Sequence, residues 1–181
     1  MPVHDSALHF RTVKLTIGTH ASSFFRWLDG LPDWQFTATL YLLRWAIILP
    51  LAFLLSPITT SADEFQAEGD AWRYLIPFLL VAPTLETLIE CSLPYWVINR
   101  LLRIKRGTPW PFVFISALLM VLLHPLTPFV MVMAFITGSF LAYVYFHFAV
   151  QGHFKAFLHT ATFHAAINLV GWMMLLIGSV A

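Results

Sequence analysis

Charge is what this sequence has least of. Only 10% of its 181 residues are Asp, Glu, Lys or Arg, against 59% that are hydrophobic, whereas a soluble domain carries roughly 25% charged residues. A chain this short keeps a large surface for its volume, so a big core cannot explain the deficit. Lipid must cover what water does not, and the mean hydropathy of +0.77 agrees. One membrane domain is the expected count. The net charge of +1 leaves no broad basic surface for a nucleic acid partner. Cysteine is nearly absent: with Cys91 alone no intramolecular disulfide can form, and the redox compartment stays open. The first 36 residues hold no clean apolar core followed by a small-residue cleavage site, so they do not read as a signal peptide. No repeat or low-complexity tract stands out.

What is there is a series of long apolar runs. About 20 such residues cross a bilayer as a helix, and five candidates fit: 37–58, 72–102, 110–126, 127–150 and 156–180. Pro125 and Pro128 mark the break between the third and fourth. The segments before the first span (Arg11, Lys14, Arg26), after the second (Arg100, Arg103, Lys105, Arg106) and after the fourth (Lys155) are basic. The loop after the first is acidic, with Asp63, Glu64, Glu68 and Asp70. The positive-inside rule then predicts a cytoplasmic N-terminus and an outer C-terminus. Residues 24–34 mix Phe24, Phe25, Trp27 and Leu28 with Arg26 and Asp29. They fit either a helix lying in the inner interface or a flexible lead-in. The expected fold is therefore all-α: a polytopic transmembrane bundle of about five spans over 37–181, preceded by a cytoplasmic or interfacial segment, 1–36.

Ionisable groups inside a span are costly and usually face the bundle interior. Arg44 lies near the inner end of the first span and can snorkel, while His147 and His159 lie near span ends. Glu86, His124 and His164 are deeper. Glu86 precedes Arg100 by 14 residues and His124 follows Trp110 by 14, which puts both about 21 Å from the cytoplasmic ends of their spans. His164 and Asn168 follow Lys155 by 9 and 13 residues, about 14 and 20 Å, and at i, i+4 they share one helix face. Three spans thus bring a carboxylate, two imidazoles and an amide to similar depths. Such a Glu can act as general base on water, and a His with an Asn can donate hydrogen bonds to an oxyanion. Glu86, His124 and His164 could instead hold a zinc ion with an open position. Alternatively, these groups only tie the helices together by interhelical hydrogen bonds.

The same residues resemble the motifs of a known family. Ala82-Pro83-Thr84-Leu85-Glu86 is similar to the Pro-x-x-Glu-Glu opening of the CAAX protease and bacteriocin-processing (CPBP) intramembrane proteases. The run from Ser116 to His124 resembles their second motif, which ends in His. The stretch from Gly138 leads to His164-Ala-Ala-Ile-Asn168, which resembles their third, His-x-x-x-Asn. The likeness covers about residues 75–172, in the family's order. It implies that Glu86, His124, His164 and Asn168 are catalytic residues of an intramembrane endopeptidase acting on a membrane-presented peptide or protein, in a bacterial inner membrane. The family's second Glu and its Arg do not carry over, because Thr87 and Cys91 stand there; Met120 replaces the Phe four residues before the second-motif His. Glu90, one turn from Glu86, is a second carboxylate in the same span.

Other membrane peptidase patterns are missing. There is no His-Glu-x-x-His, and Leu28-Asp29-Gly30 lies outside the spans. Thr137-Gly138-Ser139-Phe140 is not Gly-x-Ser-Gly, and no Asp lies within a span. Two non-hydrolytic readings remain: an inactive CPBP-like protein serving as a binding or immunity partner, and a small transporter relaying protons through Glu and His, for which no inverted repeat is detectable.

Overall fold

The structure is a computed structural model that describes residues 23–55, 75–102, 109–125 and 127–180. The basic residues Arg11 and Lys14, the acidic loop 61–70 and the basic loop residues 103–106 lie outside the described residues, as do the end of the first expected span and the start of the second. Every described element is helical, and no strand occurs among the described residues. Helix α1 is Ser23–Asp29 and α2 is Asp33–Leu55. Residues 75–102 form one continuous helical rod, α3. Then come α4 (Trp110–Leu122), α5 (Pro128–Ala149) and α6 (His153–Val180). Among the described residues, α2 and α5 are long and apolar enough to cross a membrane, and α4 is apolar but shorter.

The boundaries follow from local chemistry. Residues 24–34 are not a flexible lead-in: they supply α1 and a tight turn closed by Gly30 N–H to Trp27 O and Leu31 N–H to Leu28 O, both 3.1 Å. Leu28 and Phe36 are fully buried in the common core, so this segment packs on the bundle. Thr127 caps α5, its hydroxyl accepting from Val130 N at 3.4 Å, and Pro128 occupies the first turn, where its missing N–H costs nothing. Gly152, at φ 139, makes the left-handed turn between α5 and α6. At Gly138 of α5 an added Cβ would lie 2.7 Å from Met120 Cβ and 3.0 Å from Ala117 Cα. Only glycine lets α4 and α5 approach this closely.

Helix α3 departs most from the expected regular span. Two of its turns are widened to π geometry, Pro77–Val81 and Thr87–Ser92, and each runs up to a proline, Pro83 or Pro94. A proline ring clashes with the carbonyl four residues back in an α-helix, and a wider turn moves that carbonyl away. In the first widened turn Ala82 N–H bonds to Pro77 O. The next bond of that register would run from residue 83 to Phe78 O, but Pro83 has no N–H. The Phe78 carbonyl is therefore released toward the bundle.

Inter-helix contacts give the directions. Lys155 meets Asp33 at 2.5 Å, and Tyr41 OH donates to Ala166 O at 3.2 Å, so α2 and α6 run parallel. Tyr95 meets His153 (ring centroids 5.4 Å), Glu86 meets His164 and Asn168 meets Phe78, so α3 is antiparallel to α6. His147 contacts Asp29 and Thr137 contacts Arg44, so α5 is antiparallel to α2. One end of the bundle thus gathers Asp29, Asp33, Tyr95, His147, His153 and Lys155. The exposed Trp27, Trp34, Trp96 and Trp110 lie at that end as well.

Candidate active site

Depth can be counted from that end at about 1.5 Å per residue. Arg44 lies 11 residues beyond Asp33, His164 9 beyond Lys155, Thr137 10 before His147 and Glu86 9 before Tyr95. All four fall at about 14–16 Å, so four helices deliver polar groups to one level.

The expected residues are brought together in part. His164 Nε2 lies 3.1 Å from Glu86 Oε2. A carboxylate can only accept, so Nε2–H donates and orients the acid. The His164 side chain is almost wholly enclosed, whereas Glu86 keeps 24% of its side chain exposed. His164 Nδ1 is buried with no hydrogen-bond partner among the described residues.

His124 is not inside a helix as its depth count assumed. Helix α4 ends at Leu122, and Pro125 prevents its extension. His124 closes the last turn instead, with its N–H on Val121 O at 3.3 Å and Nδ1 2.8 Å from Met120 O. Because a carbonyl only accepts, Nδ1 carries the hydrogen, and in the neutral ring Nε2 presents a bare lone pair. The ring is within electrostatic reach of both Glu86 and His164.

Asn168 does not join Glu86. Its Nδ2 donates to Phe78 O at 3.0 Å, filling the position that Pro83 leaves empty. One N–H of the amide remains for another acceptor. No three His, Cys, Asp or Glu side chains among the described residues are placed to hold a metal ion, so Glu86, His124 and His164 do not close a zinc site in this arrangement.

Two features of the site were not anticipated. Arg44 does not snorkel: it is 6% exposed, with Nε and Nη2 on Thr137 Oγ at 3.3 and 3.0 Å and its guanidinium 4.8 Å from the Trp45 ring centroid. It too lies within electrostatic reach of His164. Its place inside the first apolar run, 7 residues from residue 37, was the available signal; its partner, 93 residues away, was not readable. Glu90 is 1% exposed with both oxygens unpartnered, one turn from Glu86. Thr87 and Cys91, at the positions of the missing motif Glu and Arg, are fully buried. His147 and His159, expected near span ends, are packed against aromatic rings: His147 on Phe36 at 3.7 Å and His159 on Phe148 at 4.0 Å between centroids. Protein-family models, curated proteins and solved structures were each compared with this chain, and none matches it.

Proposed function

We propose that the chain is an intramembrane peptidase of the CPBP type, hydrolysing a peptide bond presented from the lipid. The observation that carries this reading is the 3.1 Å pair of Glu86 and His164, a reachable carboxylate oriented by an enclosed imidazole, with the open nitrogen of His124 in the same neighbourhood. In this scheme Glu86 takes a proton from water while His124 Nε2 accepts the water's second hydrogen bond. The hydroxide adds to the scissile carbonyl. The spare N–H of Asn168 faces the oxyanion, and Glu86 returns its proton to the leaving amine as the C–N bond breaks.

The setting we infer is a five-span bundle in a bacterial inner membrane, with residues 1–36 on the cytoplasmic side and α1 at the interface. Helices α2 and α5 are apolar enough to span. The alternating directions of α2, α3, α5 and α6 agree with successive crossings, and the exposed tryptophans at one end suit a headgroup belt. A depth of about 15 Å is then near the middle of a hydrocarbon core about 30 Å thick.

The second reading is a catalytically inactive relative that acts as a binding or immunity partner. Buried Thr87 and Cys91 at the family's Glu and Arg positions favour it. Peptide cleavage by the full chain in liposomes separates the two. Removing a general base typically costs about 10²–10⁴ in rate, so Glu86→Gln is expected to abolish measurable turnover while the protein still folds. Turnover near the parent's would overturn the peptidase reading at this site.

A further inference from the structure

Among the described residues Arg44 is a cation without an anion. The guanidinium is charged at any accessible pH and almost wholly buried. Among the described residues it has no acidic partner; its hydrogen bonds go to the neutral hydroxyl of Thr137. A buried charge that is neither paired nor fully hydrogen-bonded is strongly disfavoured, so the arrangement is incomplete as it stands.

Its geometry shows what completes it. Nε and Nη2 both turn to Thr137 Oγ, which occupies the side edge of the fork. Nη1 is buried with no partner, and Nη2 has a second hydrogen. The free edge is therefore the end-on pair Nη1 and Nη2, the spacing that receives the two oxygens of a carboxylate. The Trp45 ring covers one face, so a carboxylate would meet the guanidinium in its plane. Tyr41, one turn before Arg44, fixes the location: its hydroxyl bonds to Ala166 O and its ring lies 5.9 Å from that of Phe163. Those residues flank His164, whose Nδ1, like Trp45 Nε1, is a further buried nitrogen without a partner among the described residues. The depth of about 16 Å is too great for a lipid phosphate, which stays outside the hydrocarbon core.

We propose that Arg44 is the receptor for a carboxylate at the end of an apolar chain, held by the free edge of its guanidinium where α2, α5 and α6 meet. This rests on the peptidase reading only for the fate of the ligand; binding itself does not require hydrolysis. Two sources share the chemistry, the free C-terminus of an apolar peptide and a fatty acid.

The test is thermal unfolding of the purified full chain in dodecyl maltoside micelles, titrated separately with N-acetyl-Val-Ile-Leu as free acid, the same peptide as C-terminal amide, decanoate and decanol. The expected result is a rise in midpoint with an acid but not with its neutral counterpart, the acid binding roughly 10- to 100-fold more tightly. The peptide acid acting alone identifies a peptide terminus; decanoate acting alone identifies a fatty acid. Arg44→Gln is expected to remove the preference. Arg44→Lys, which keeps the charge but loses the fork, and Thr137→Val, which releases the tether, should each weaken it and provide the comparison if Arg44→Gln does not fold. Equal responses to acid and neutral forms, or an acid preference that survives these changes, would overturn the proposal. Glu86→Gln should keep the preference. Acid binding in a parent protein without turnover supports this site and overturns the peptidase reading, and turnover without acid preference does the reverse.

Discussion

Two polar clusters lie about 15 Å apart along the bundle, and they are built differently. At the tryptophan-rich end, Asp29 accepts from Tyr143 OH at 3.2 Å and meets His147 Nδ1 at 3.1 Å, while Lys155 bridges Asp33 and Gln151. These groups have found partners within the chain, and they tie α1, α2, α5 and α6 together. In the interior cluster Glu86 and His164 pair, but Arg44 Nη1, His164 Nδ1, both Glu90 oxygens and the hydroxyls of Thr87 and Thr160 are buried without partners among the described residues. Buried polar atoms in native proteins are nearly always bonded. A cluster that only held helices together would be expected to resemble the one at the end. An interior with this many open valences fits a place where another molecule completes the bonding.

The largest expected effect separates the clusters directly. Glu86→Gln should stop turnover with little change in thermal midpoint, whereas Asp29→Asn should lower the midpoint with turnover intact. If both variants lose activity and stability together, the division between a structural and a functional cluster is wrong. The next effect concerns Asn168, which shares features of both. Asn168→Ala leaves the Phe78 carbonyl unpaired and is expected to cost about 1–3 kcal/mol. Adding Pro83→Ala restores a backbone donor to the widened turn. Denaturation of the two singles and the double should therefore show coupling, with the double losing less than the sum; strict additivity would remove the carbonyl-capping role. Gly138→Ala should cost about 1–3 kcal/mol by forcing α4 from α5, measurable as a lower midpoint without altered substrate preference. The smallest effect belongs to Lys155→Met. Its pair with Asp33 has side chains 37% and 42% exposed, so about 0.2–1 kcal/mol is expected and added salt should erase it.

The helices were legible because apolar runs of membrane length leave few alternatives, and the Pro125–Pro128 break fell where α4 gives way to α5. The His164–Asn168 face was legible from spacing alone. The π turns were not, because apolar content is unchanged when a turn widens; the positions of Pro83 and Pro94 were the only trace. Widening changes which side each residue of α3 faces, so an α-helical spacing could not give the directions of Glu86 and Glu90. Arg44 was misjudged because a snorkelling rule considers one helix at a time, whereas its environment is made by Thr137 on another. Asp29 was set apart from the bundle with residues 1–36, and the ties of His147 to Asp29 and Phe36 went unseen for that reason.

The hydrogen bond from Asn168 to Phe78 also implies an order of assembly. Its two ends are separated by 90 residues, so during synthesis α3 is made long before its capping amide. Until α6 emerges, one carbonyl of α3 has no donor from its own helix, a condition that the bilayer setting proposed above would make costly. In that proposed setting the nascent α3 would stay near water until α6 supplies the donor. On that setting the proline that opens the turn imposes a wait, and Asn168, 90 residues beyond Phe78, ends it.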